Sequence, residues 1–111
     1  MIEKQQLVEF EPILGDQDYN NLICPNCGDR YLHHAAVRVY NRKEDASNCR
    51  KTFAGDDHSR ASISDNRENP SRRRDGLTID FTCEGCSGGE VVAQLCVAQH
   101  EGTTEMFWRA V

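Results

Sequence analysis

Two Cys-x-x-Cys turns, Cys24-Pro25-Asn26-Cys27-Gly28 and Cys83-Glu84-Gly85-Cys86, are the residues of this chain best placed to do chemistry. Each turn can aim two thiolates at one cation, and two turns complete the four-sulfur tetrahedron that zinc favours. A closed shell leaves no position for water or substrate, so the expected metal is one structural Zn2+ and a zinc hydrolase is disfavoured. Gly28 and Gly85 fit this reading, because knuckle backbones turn tightly and direct their amides at sulfur.

Two competing readings of the thiols are weaker. Disulfides need an export route, and the start of the chain, Met1 through Phe10, has no basic segment followed by an apolar run. No stretch approaches the roughly eighteen apolar residues of a membrane span. A cytoplasmic location is therefore expected, and in a reducing compartment thiols at this spacing bind metal. Iron is the rival cation, since Cys-Pro-x-Cys-Gly also resembles a rubredoxin knuckle and sulfur tetrahedra suit both metals. The second knuckle lacks that Pro and trailing Gly, which favours zinc. Cys49 and Cys96 stand outside the pattern and are read as a free loop thiol and a small core filler.

His33 and His34 lie between the knuckles and raise a nuclease alternative, because the arrangement resembles zinc-braced endonucleases of the His-Asn-His type. In those enzymes a metal-binding His follows the second knuckle and the catalytic His precedes a loop and helix. Here Cys86 is followed by Ser87-Gly88-Gly89, and His34 runs into Ala35-Ala36-Val37 within a strand pattern. Neighbouring strand residues also point to opposite faces, so the two histidines are expected not to share a metal. His58 and His100 are read as solvent-facing, and no catalytic residue is assigned.

The elements that must position the knuckles are strands. Residues 31–40 carry β-branched and aromatic side chains with imperfect alternation, which places Tyr31, His33, Ala35, Val37 and Val39 on one face of a strand leaving the first knuckle. Residues 77–83 alternate cleanly, with Leu77, Ile79, Phe81 and Cys83 on one side and Thr78, Asp80 and Thr82 on the other. That pattern predicts a half-buried strand feeding into the second knuckle. Apolar runs at 91–98 and 103–110 flank Glu101-Gly102 and predict a hairpin whose Trp108 face meets the core. Residues 1–20 are read as an irregular or single-strand lead-in, with a turn at Gly15-Asp16, and residues 21–111 as the domain proper.

Between the knuckles, 55 residues separate Cys27 from Cys83, where simple double-knuckle patterns have roughly fifteen to twenty. Residues 41–75 hold few large apolar side chains, so a long, flexible polar loop is predicted there. This insertion carries nine Lys and Arg against seven Asp and Glu, net +2, whereas the remainder carries four against eleven, net −7. Its consecutive Arg72, Arg73 and Arg74 form a candidate partner contact, since guanidinium groups clamp phosphates or carboxylates bidentately. A solvated loop end is the plainer explanation. With aromatic residues at 7% of the 111 residues and a mean hydropathy of −0.69, a structural metal contributing on the order of 10 kcal/mol can decide whether the chain folds.

The knuckles with their flanks, Leu22-Ile23 before the first and Tyr31-Leu32-His33-His34 after it, Leu77 through Thr82 before the second, together with Gln99-His100-Glu101-Gly102-Thr103-Thr104, resemble a group of small zinc-ribbon proteins commonly encoded by bacteriophages and prophages. The likeness spans about residues 18–40 and 76–109. It implies a ribbon fold, zinc bound by Cys24, Cys27, Cys83 and Cys86, and a bacterial host cytoplasm, and it implies no activity. The expectation is a β-rich, metal-stabilised zinc ribbon with an antiparallel sheet and a long inserted loop. It would act as a non-enzymatic binding module on a host or phage protein of the nucleic-acid machinery, with direct DNA or RNA binding through the arginine-bearing loop as the alternative. A net charge of −5 favours the protein partner, and no small-molecule substrate or membrane is inferred.

Overall fold

Alternating side chains along 32–41, 76–83, 91–100 and 103–109 build the centre of the molecule, and the computed structural model describes residues 5–13, 15, 18–86 and 88–111. In chain order the strands are β1 (Gln5–Gln6), β2 (Phe10–Pro12), β3 (Asn20–Leu22), β4 (Leu32–Asn41), β5 (Asn48–Ala54), β6 (Ser59–Asp65), β7 (Gly76–Cys83), β8 (Val91–His100) and β9 (Thr103–Arg109). Seven of them form one sheet in the order β1-β9-β8-β7-β4-β5-β6, and β2 pairs with β3 separately. Every pairing is antiparallel. Among the described residues no helix is long and apolar enough to cross a membrane.

The hairpin predicted around Glu101-Gly102 is present, with His100 opposite Thr103. Glu101 and Gly102 both take positive φ, 49° and 81°. Two consecutive left-handed residues give a turn whose twist matches that of the flanking strands, and glycine supplies one of them without steric cost. Trp108 is 1% exposed and meets Phe81 edge-on at 5.5 Å. Ala93, Leu95 and Trp108 form the buried cluster, and Leu32, Ile79 and Phe81 pack on it from the neighbouring strands.

The lead-in does more than precede this sheet. Val8 and Leu22 pack on the same cluster, so the segment carrying β2 and β3 covers the apolar face near the knuckles. Backbone and side-chain bonds hold it there, from Ile23 N to Glu9 O (3.1 Å) and from Gln6 Nε2 to Pro25 O (3.2 Å). Of the turn read at Gly15-Asp16, Asp16 lies outside the described residues.

Three expectations are corrected. Residues 41–75 are not one long loop: β5 and β6 form a seven-pair hairpin from Asn48↔Asp65 to Ala54↔Ser59 that docks on β4 and extends the sheet. The hairpin builds no core of its own. It satisfies its backbone on an existing strand, which a polar sequence can do as well as an apolar one. Second, Thr78 and Asp80 are buried, at 0% and 7% exposure, so β7 is covered on both faces.

Residues 66–75 supply that second cover, crossing the face that carries Tyr40, Thr78 and Cys96. Ser71 Oγ donates to Gln99 O (2.9 Å), Asn69 Nδ2 to Arg74 O (3.1 Å), and Arg109 Nη2 to Glu68 O (3.0 Å). The approach is close enough that a Cβ on Gly76 would stand 2.1 Å from Asn69 Oδ1 and 2.8 Å from Pro70. Third, β4 does not keep Tyr31 through Val39 on one face. A bulge between His34 and Val37 lets three steps on β4 oppose two on β7, and the side-chain alternation reverses across it.

Candidate metal centre

The first knuckle follows β3 and the second ends β7, and the pairing of β4 with β7 brings them together: Leu32, just after the first, lies opposite Cys83. Within the first knuckle Gly28 N donates to Cys24 O (3.0 Å) and Cys24 N to Asp29 O (2.7 Å). Gly28 closes the turn at φ 82°. In the second, Cys86 N donates to Cys83 O (3.2 Å), and Glu84 N donates across to Tyr31 O (3.1 Å). Gly85 sits where the knuckles touch, and a Cβ there would fall 2.0 Å from Asp29 Oδ2.

The Sγ atoms of Cys24, Cys27, Cys83 and Cys86 all lie within 4.8 Å of one another. Cys24 and Cys86 stand 3.8 Å apart, and Cys27 and Cys83 3.6 Å. A tetrahedral ion with sulfur ligands at about 2.3 Å requires edges of about 3.8 Å, whereas a disulfide would need about 2.05 Å. The four thiols are free, and their spacing fits a metal shell.

Their environment fits as well. Cys24 and Cys83 are buried, Cys86 half-buried and Cys27 exposed. Burial, reinforced by hydrogen bonding with Cys27, pushes the Cys83 thiol up to about 12. The Asn26 side-chain amide donates to Cys86 Sγ at 3.3 Å and lowers that thiol instead. Burial thus disfavours the Cys83 thiolate until a cation neutralises it.

The other sequence candidates are dispersed. Cys49 and Cys96 are buried on β5 and β8, apart from the cluster, so Cys49 is a strand residue and not a loop thiol, and burial raises both thiols, Cys96 to about 11. His33 Nε2 contacts Glu84 Oε2 at 2.5 Å, while His34 is opposite Phe81 on the adjacent register and exposed. His58 bonds Asp57 at 2.7 Å and His100 lies 3.9 Å from Glu101.

The arginine run is largely occupied within the chain. Arg73 forks onto Asp45 at 2.8 Å for both bonds and reaches Glu44 at 3.2 Å, and Arg74 pairs with Glu44 at 3.0 Å. The bond from Arg73 holds the Asp45 carboxyl below its usual range. All three are exposed, and the Arg72 side chain makes no ion pair among the described residues, while its carbonyl accepts from Arg42 Nη1 (2.9 Å). Asn26 and Asp29 escaped the sequence reading although both stand in or beside the first knuckle; the short polar side chains between and after paired cysteines were the available signal.

Comparison with protein-family models, with curated proteins and with solved structures returned no match.

Proposed function

We propose that this chain is a non-enzymatic binding module braced by one structural zinc ion, and that it engages a protein of the nucleic-acid machinery in a bacterial cytoplasm. The observation that carries the reading is the four-sulfur set: its spacing fills a tetrahedral shell with protein ligands and leaves no position for a reacting group. Zinc is preferred to iron because the second knuckle, Cys83-Glu84-Gly85-Cys86, lacks the Pro and trailing Gly of the first. The link to the nucleic-acid machinery rests on fold analogy with small zinc ribbons.

A protein partner is supported by the apolar face beyond the lead-in's cover. There Val39, Leu77 and Val97 are only half-buried, Met106 is 46% exposed and Ile63 74% exposed. Val39, Leu77, Val97 and Met106 occupy neighbouring register positions, Val39↔Leu77↔Val97↔Met106, a contiguous strip rather than scattered singles, whereas Ile63 stands apart on β6 opposite Arg50. Ion pairing of Arg73 and Arg74 with Glu44 and Asp45 counts against a nucleic-acid clamp on that loop.

The test is a Met106→Glu variant, at the exposed end of that strip. It should fold and bind zinc as the parent does, and lose a stoichiometric protein partner recovered by affinity capture from host lysate. Retention of that partner would refute the assigned surface. Plasmid incubated with the parent protein and magnesium or manganese should stay intact; cleavage abolished by His34→Ala would establish the nuclease alternative instead.

A further inference from the structure

On the sheet face that residues 66–75 also cross, beside that covering segment and over the added hairpin, Arg38, Lys51, Phe53, His58, Arg60 and Ser62 line a cleft of about 220 Å³. The register explains their convergence. Arg38, Phe53 and Arg60 stand directly opposite one another across β4, β5 and β6, and Lys51 and Ser62 form the next row on the same face. Adjacent strands are about 4.8 Å apart, so the two guanidinium-bearing positions flank the ring at about 10 Å from each other. The walls hold three permanent cations, a histidine and a hydroxyl, and no carboxylate, in a chain of net charge −5.

Two of these cations are held in place from behind. Arg38 Nη1 donates to Asp80 Oδ2 (2.9 Å) and its guanidinium lies over the Phe53 ring at 5.2 Å. Asp80 is fixed in turn by Gln94 Nε2, which donates to its other oxygen at 2.9 Å. Only one of the five guanidinium donors is used on Asp80, so the rest stay available. Lys51 lies over the Tyr40 ring at 5.7 Å and 4.0 Å from Glu68, a loose pair. Arg60 is exposed, and its side chain makes no ion pair or hydrogen bond among the described residues. His58, bonded to Asp57, sets its ring 5.1 Å from Phe53.

We propose that this cleft binds nucleotide units of single-stranded nucleic acid, with phosphate held by Arg38, Lys51 and Arg60 and a base resting against the Phe53 and His58 rings. Guanidinium and ammonium donors converging on one volume suit a phosphate oxygen cluster. Aromatic rings on an open sheet surface suit an unstacked base, as in sheet-based single-strand binders. The volume falls below the roughly 300 Å³ of a drug-sized site, which matches one nucleotide fragment and not a duplex. This assignment is independent of the metal's identity and of the protein partner, and it moves any nucleic-acid contact from Arg72, Arg73 and Arg74 to the β5–β6 hairpin and the β4 edge beside it.

The experiment is fluorescence anisotropy of the metal-loaded full chain with a labelled single-stranded oligonucleotide of about a dozen residues, long enough for a small binding site. Affinity should fall with added salt at a log–log slope near −2, as expected for about three phosphate contacts on a single strand at about 0.7 each. Arg60→Glu should weaken binding at least tenfold, Arg60→Lys should keep most of it, and Arg72→Glu should change it less than threefold. Arg60 is exposed and unpaired, so its variants should melt with the parent, which separates lost binding from lost fold. Absence of binding at low salt, or equal losses from Arg60→Glu and Arg72→Glu, would overturn the site. A mononucleotide competing at the same molar concentration as the oligonucleotide would overturn the assignment to a strand.

Discussion

At the knuckle end, four thiols from positions 24–27 and 83–86 converge within 4.8 Å, and order there depends on a few atoms that repel one another as thiolates. At the hairpin edge, residues 48–65 carry mostly polar side chains, yet seven residue pairs within the hairpin and five with β4 hold them in the sheet. Both regions come from apolar-poor sequence. With the proposed ion in place, the contrast is between two ways of offsetting chain entropy without a large core: one ion at a focal point, or a backbone ladder spread along a preformed edge. Focal order should fail at single residues, and distributed order should yield gradually.

The largest effect should therefore come from a ligand. Cys83→Ser removes a buried sulfur from the shell, and the loss, on the order of 10 kcal/mol of metal-linked stability in comparable small sites, should unfold the chain. Circular dichroism would record it, and a folded, cooperative Cys83→Ser protein would break the contrast. An intermediate effect is expected where the covering segment meets β7. Gly76→Ala places a methyl against Asn69 and Pro70, and overpacking of this kind costs about 1–3 kcal/mol. Thermal melts should drop by several degrees with metal content unchanged; simultaneous metal loss would show that the two regions are coupled.

How much of this was readable beforehand follows the same division. The knuckles were legible because ligand chemistry demands a particular residue at a particular spacing, and β7 to β9 because Leu77-Ile79-Phe81 and the Glu101-Gly102 turn carry strong local signals. The β5–β6 hairpin was not. Asn48-Cys49-Arg50-Lys51-Thr52-Phe53-Ala54 has no apolar alternation, and its strand state is settled by the free edge of β4, which lies outside the segment. The Gly55-Asp56-Asp57 turn was the one local clue. Burial of Thr78 and Asp80 was hidden for a related reason, since their cover comes from residues 66–75 and no pattern within β7 reports it. The bulge at 34–37 reversed the β4 faces in a way a strict period of two cannot express.

The smallest effect should come from the exposed ion pairs beside the covering segment. Arg73 depresses the Asp45 carboxyl below its ordinary value of 3.8, so the folded state binds that proton less readily than the unfolded chain. The contribution is present above pH 3.8 and is lost as pH falls through the folded value. Asp45→Asn should shift the melting temperature barely at neutral pH and remove a slight destabilisation on acidification. A large shift at neutral pH would mean that the arginine run organises the segment more strongly than solvent-exposed pairs usually do.

Elemental analysis of the intact purified chain, paired with a thermal melt before and after chelation, bears most directly on the proposed four-sulfur brace. One zinc per chain, with chelation abolishing the cooperative transition, is the predicted result. A chain free of transition metal that melts cooperatively and identically with chelator present would contradict it.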